Sequence, residues 1–222
     1  MKFVHKISQG SKFNQIYVPR EAEAEFEVGD LVEVRLLKKR TTLHFSLRNI
    51  VLSEFKGKLV REIFNFLSKY KKIRQVFIFG SFLTKKIDYN DIDILIIGEN
   101  KNLEEKLYVD LIDEFNLKFH VISIEEKELK NLLSTNPLIR SMVYYCVSNK
   151  NIDVLPQVEI NKKGLDSLLM LPKDVLDVNI NSEMLYDAFR RVLLIKYFVN
   201  KEDVSLVEID KDIINLIGRE IY

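Results

Sequence analysis

The 222-residue chain holds one cysteine, three histidines, four prolines and seven glycines. A lone Cys146 excludes an internal disulfide and any zinc site built on a cysteine cluster, and three scattered histidines argue against a His-rich metal site. Glycine and proline this sparse, beside 47% apolar residues, exclude a disordered tail and leave enough apolar surface for a substantial core. No run of about 18 apolar residues occurs, and the opening MKFVHKISQG lacks the apolar stretch of a signal peptide, so a soluble, cytoplasmic protein is expected. Net charge is nearly absent as well. Thirty-four Lys and Arg face 33 Asp and Glu, so no global basic field marks a nucleic-acid binder.

The balance hides unlike regions. Residues 1–50 carry +3 and residues 51–80 carry +5, whereas residues 81–160 carry −5 and residues 161–222 carry −2. The first third is basic and the middle acidic. Three segments follow from the hydrophobic periodicity: a small β module over 1–42, a central domain over 43–160 and a helical module over 161–222.

In the first segment, Lys6–Ser8, Gln15–Val18 and Leu31–Leu37 read as short strands, with room for about one helical turn between Pro19 and Gly29. In the second, Leu59, Ile63, Phe66, Leu67 and Tyr70 recur at helical spacing, and the apolar strand Val76–Phe79 ends at Gly80-Ser81. A strand over Ile92–Ile97, a helix over Leu103–Phe115 and a strand over Leu117–Ile124 follow. Helices over Glu125–Leu133 and Leu138–Val147 and a short strand at Ile152–Leu155 complete it. Strands alternating with helices argue for an α+β fold, a mixed sheet covered by helices. In the third segment a helix is expected from Ser182 to about Val199, with a strand-like pattern at Val204–Val207 and another helix around Ile213–Ile217.

The chemistry-bearing stretch is Val76–Ile97, VFIFGSFLTKKIDYNDIDILII. Side chains at i and i+2 of a strand share a face about 6.6 Å apart, so Asp91 and Asp93 form a paired carboxylate edge while Ile92 and Ile94 point into the core. Two close carboxylates raise each other's pKa unless a cation lies between them, and hard oxygen ligands of this kind suit Mg²⁺ or Mn²⁺ together with substrate phosphates. Gly80 lets backbone N–H groups approach a ligand closely, and the Ser81 hydroxyl adds a donor for a phosphate oxygen. Together they describe a site for a metal and a nucleoside triphosphate. Asp-x-Asp alone is uninformative, since Asp210-Lys211-Asp212 has it too and reads as a solvated helix start.

Gly80-Ser81 and Asp91/Asp93, each tied to an apolar strand at this spacing, resemble the active-site signature of the polymerase-β-like nucleotidyltransferase superfamily, in particular its minimal nucleotidyltransferase branch. The resemblance covers roughly residues 50–155. It implies that Gly80 and Ser81 contact the triphosphate, that Asp91 and Asp93 bind divalent metal, and that an NMP passes from an NTP to a hydroxyl of a protein, RNA or small-molecule acceptor. Lys85 and Lys86 stand where the family often has a small residue and can serve the triphosphate instead. On the third strand the family commonly has another carboxylate; here the matching residue is His120, a ligand, a base or the relic of a weakened site.

The amino-terminal pattern around Lys6–Gly10, Gln15–Pro19 and Phe26–Val34 resembles the AbrB-type swapped-hairpin module. That likeness implies a homodimer and a second overall reading: a catalytically weakened, dimeric regulatory, DNA-binding or antitoxin-like protein. Among the remaining residues, His5 and His44 read as surface or packing residues and Cys146 as a core thiol. Lys56, Lys58, Arg61, Lys69, Lys71, Lys72 and Arg74 read as a solvated basic face, or as a surface guiding a polyanionic acceptor such as RNA.

Overall fold

A computed structural model describes residues 3–35, 41–47, 49–85, 89–99, 104–177 and 182–217. The chain divides into two compact units, Met1–Lys39 and Arg40–Tyr222.

The first unit contains β1 (Ser8–Gln9) paired antiparallel with β2 (Asn14–Gln15), and a 3-10 turn over Arg20–Glu25. Gly10 N–H closes the hairpin by donating to the Phe13 carbonyl at 3.0 Å. The strand expected over Leu31–Leu37 is absent among the described residues of that stretch. Its alternation of Val32 and Val34 with charged residues suits a pleat, but it has no paired neighbour here, and Leu31, Val32 and Val34 are exposed.

The second unit is built on a five-stranded mixed sheet in the order β3-β7-β4-β5-β6. Its strands are β3 (His44–Phe45), β4 (Ile73–Phe79), β5 (Ile92–Gly98), β6 (Phe119–Glu125) and β7 (Cys146–Ser148). β4 runs antiparallel to β5 and β7, and β5 runs parallel to β6. Side-chain alternation divides the core. Val76, Ile78, Ile92, Ile94 and Ile96 pack on one face with Val60, Ile63, Phe64 and Leu67 of α1 (Glu54–Leu67) and with Leu107 and Leu111 of α2 (Glu104–Phe115). Phe77, Phe79, Leu95 and Ile97 pack on the other with α4 (Pro137–Tyr144), α7 (Ser182–Val199) and α8 (Leu206–Ile217). A fully buried side chain of this kind contributes roughly 1.5–3 kcal/mol, so the central strands dominate stability.

Smaller helices complete the unit: α3 (Glu126–Thr135), α5 (Lys162–Leu168) and α6 (Met170–Asp177). Asn136 caps α4 by accepting from Leu138 and Ile139 N–H, with Pro137 opening the helix. Tyr70 Oη donates to Asp110 at 2.6 Å, joining the chain after α1 to α2; burial and the carboxylate push its phenol up to about 12.

Several expected boundaries are corrected. Cys146–Ser148 is a strand, not the end of a helix, because β7 pairs with β4 through Val147 opposite Ile78. Ile152–Leu155 forms no strand. Val204–Val207 leads into α8, whose start is closed by Ser205 and Glu208: Glu208 N–H donates to Ser205 Oγ, and Ser205 N–H donates to Glu208 Oε2. Asp210 and Asp212 lie within that helix rather than at a solvated start, accepting from Tyr186 and Tyr197 of α7. Among the described residues no helix is long and apolar enough to cross a membrane.

Candidate active site

Strand register assembles the site. Phe79, the last residue of β4, pairs with Asp93, and on the other side of β5 Asp93 pairs with His120 of β6. Asp93 lies on the sheet face of Leu95 and Ile97, beyond the apolar residues covered by α4, α7 and α8. Asp91 stands one residue before β5. The three-residue span from Phe79 through Ser81 is thereby brought beside Asp93 of the adjacent strand.

Gly80 has φ +79°, a backbone that L side chains rarely adopt. A Cβ placed there would collide with the Asp93 carboxylate oxygen. Glycine is required on both counts, and the tight fit fixes how the turn meets the carboxylate. After Gly80 the chain makes a 3-10 turn over Ser81–Leu83, closed by Leu83 N–H to Gly80 O at 3.2 Å and Thr84 N–H to Ser81 O at 3.0 Å. Phe82 and Leu83 are buried in the core shared with α1 while Ser81 is exposed, so the turn is anchored from below and open above. Lys85 is exposed at its end; Lys86 lies outside the described residues.

Asp93 accepts a hydrogen bond from His120 Nδ1 at 3.1 Å; a carboxylate has no proton to give, so the ring nitrogen donates. The two side chains are 20% and 58% exposed respectively, which places the pair at a solvent-reachable edge. The hydrogen bond to Asp93 holds the imidazole pKa above its ordinary value, against the opposing effect of burial. Burial first, and the Asp93 charge second, raise the Asp91 carboxyl.

Among the described residues no group of three or more His, Cys, Asp or Glu side chains forms a metal cluster. The hard oxygen donors at this edge are the carboxylates of Asp91 and Asp93, and the His120 imidazole is engaged with Asp93. A carboxylate pair could hold a divalent cation that completes its shell with water and phosphate oxygens; burial is the main cause of the raised Asp91 carboxyl, and the Asp93 charge adds to it. Beside His120, a cleft of about 440 Å³ opens between α2 and β6, lined by Glu104, Tyr108, Val109, Phe119 and Val121 among others.

Cys146, His5, His44 and Lys56 lie outside this edge, as does Arg190 of α7. Cys146 is buried in the core and its thiol is pushed up to about 12 by burial. His5 is exposed and His44 belongs to β3. Arg190 pairs with Asp210 at 3.5 Å, joining α7 to α8. Lys56 is not part of a solvated face: it is buried, with its ammonium against the Gly80–Thr84 turn. Its spacing on α1 resembled that of its exposed neighbours, and only the fold shows which lysine turns inward.

The second unit is thus an α+β domain whose β4 leads into Gly80-Ser81 beside Asp93 of β5. Residues 61–150 match the family model described as polymerase beta, nucleotidyltransferase, which supports a nucleotidyltransferase fold of the polymerase-β-like superfamily for this stretch. No curated protein matches the chain.

Proposed function

We propose that the protein is a divalent-metal-dependent nucleotidyltransferase that moves an NMP from an NTP to a hydroxyl on an acceptor. The observation that supports this reading is the register that pairs Phe79 with Asp93 and so brings Gly80 against the Asp93 carboxylate. In this reading Ser81 and the backbone of its turn, with Lys85 and Lys86, hold the triphosphate. Asp91 and Asp93 hold Mg²⁺ or Mn²⁺, which supplies charge stabilisation at the α-phosphate. His120 accepts or relays the acceptor proton, and the cleft beside it supports approach of the acceptor from the α2–β6 side. Transfer forms a bond from the acceptor oxygen to the α-phosphorus and breaks the bond to pyrophosphate. The acceptor is a protein, an RNA or a small molecule. Incubating cell lysate with the protein, Mg²⁺ and each α-labelled NTP identifies acceptor and base together; absence of any label transfer with all four nucleotides contradicts transferase activity.

The exposed apolar side chains of the first unit favour a second reading, in which a weakened nucleotidyltransferase domain serves a dimeric, AbrB-like regulatory or antitoxin-like protein. Ile7, Phe13, Val28, Leu31, Val32 and Val34 are all more than half exposed, an unusual load for so short a segment. A second copy pairing along 31–35 would cover Leu31, Val32 and Val34 among them. Light scattering is expected to give a dimer for the full chain and a monomer for Val32→Glu/Val34→Glu; a full chain that is monomeric throughout removes the swapped-hairpin reading.

A further inference from the structure

Lys56 lies upstream of the matched segment 61–150 and is only 7% exposed. It occupies the first turn of α1, where its backbone N–H donates to the Ser53 cap at 3.2 Å. That is the helix end whose dipole disfavours a cation, and burial lowers the pKa of the ammonium as well. A charge held there needs strong partners. Lys56 Nζ donates to the carbonyl oxygens of Phe82 at 2.7 Å and Thr84 at 2.9 Å. It also lies over the rings of Phe82 and Tyr89, at 5.1 and 5.2 Å from their centroids.

These partners belong to the segment between Gly80 and Asp91. Phe82 and Tyr89 meet edge to face at 4.9 Å, so one ammonium ties together both ends of that connection. A trans peptide points its C=O and the following N–H to opposite sides. Anchoring the Phe82 and Thr84 carbonyls therefore also sets the Leu83 N–H, which closes the turn on Gly80 O, and directs the Lys85 N–H away from α1.

We propose that Lys56 is a positioning residue for the triphosphate turn, pinning the Gly80–Thr84 backbone to α1 so that Ser81 and the turn amides meet the nucleotide already ordered. The role of the turn rests on the nucleotidyltransferase reading above; the ordering itself does not. Both are read separately in the full chain, using amide hydrogen exchange without nucleotide and titration with Mg-ATP. Lys56→Met keeps the stem and removes the donors. Exchange at Leu83–Lys85 is expected to rise about tenfold and Mg-ATP affinity to fall about tenfold, the scale of lost hydrogen bonds to a charged donor, with β5 and β6 exchange unchanged. Lys56→Arg, which can donate to both carbonyls, is expected to recover much of each.

Unchanged exchange in the turn overturns the proposal. Exchange that rises equally through β4 and β5 makes Lys56 a general core contact and also overturns it, as does Mg-ATP affinity that Lys56→Met leaves intact. A wild-type protein that binds none of the four Mg-NTPs sinks the nucleotidyltransferase reading and leaves the exchange result to decide the ordering role; where an NTP other than ATP binds, that NTP replaces ATP in the titration. Should Lys56→Met not fold, the wild-type Nζ protons carry the test: slower solvent exchange than those of exposed Lys58 is expected, and equal exchange overturns the proposal.

Discussion

Gly80 shows how one residue can serve a turn and a site together. Its φ of +79° and the space claimed by the Asp93 carboxylate both exclude a side chain. Gly80→Ala is therefore expected to cost about 1–3 kcal/mol in urea unfolding and to weaken Mg-ATP binding by moving Asp93; an unaltered unfolding midpoint would show that the turn relaxes freely. His120, in register with Asp93, is the other informative position. His120→Asp puts three carboxylates at one edge, so stability without metal is expected to fall by about 1 kcal/mol. Mn²⁺ should then raise its melting temperature more than that of the wild type. Equal metal stabilisation would mean that position 120 does not face the cation. Period-two alternation put the two carboxylates on one face, whereas Gly80 and His120 were singled out by the family resemblance. Lys56 was not legible in the sequence, since a buried lysine and a solvated one are spelled alike on an amphipathic helix.

At the scale of elements, what was legible followed length and punctuation. β4 stops just before Gly80 and β5 ends at Gly98, and both are apolar runs long enough to read as buried strands. β7 has three residues inside an apolar stretch at helical spacing, so only its pairing with β4 identifies it. In the opposite sense, residues 31–35 have strand-like alternation without a partner, and alternation alone does not make a ladder. The carboxy-terminal helices are held by polar ties that periodicity does not reveal. Arg140 of α4, nearly buried, donates to Asp203 at 2.5 Å and to the carbonyls of Leu133 and Pro156 at 2.9 and 2.7 Å. It thus joins the end of α3, the stretch after β7 and the connection between α7 and α8. Arg140→Ala strands these acceptors and is expected to cost about 3–5 kcal/mol in urea unfolding. A loss under about 1 kcal/mol would show that water replaces the guanidinium at little cost.

Across the whole chain, the near-equality of basic and acidic residues describes no single surface. The acidic middle supplies Asp91 and Asp93, and the basic stretch before it supplies the helix whose Lys56 grips the Gly80–Thr84 turn. The sheet of the second unit is sealed on both faces by apolar clusters, so polar groups gather where strands end. Such an arrangement favours a local, metal-mediated site over a broad polyanion-binding surface. The central claim is that Gly80-Ser81 and Asp91/Asp93 act together on a metal-bound nucleoside triphosphate. It is tested most directly by calorimetric titration of the full chain with each NTP, with Mg²⁺ and with EDTA, beside the Asp91→Asn/Asp93→Asn variant. Affinity for at least one NTP that requires Mg²⁺ and is lost in the double variant is expected. Binding that ignores both the metal and the two carboxylates, or no binding by the wild type, would contradict it.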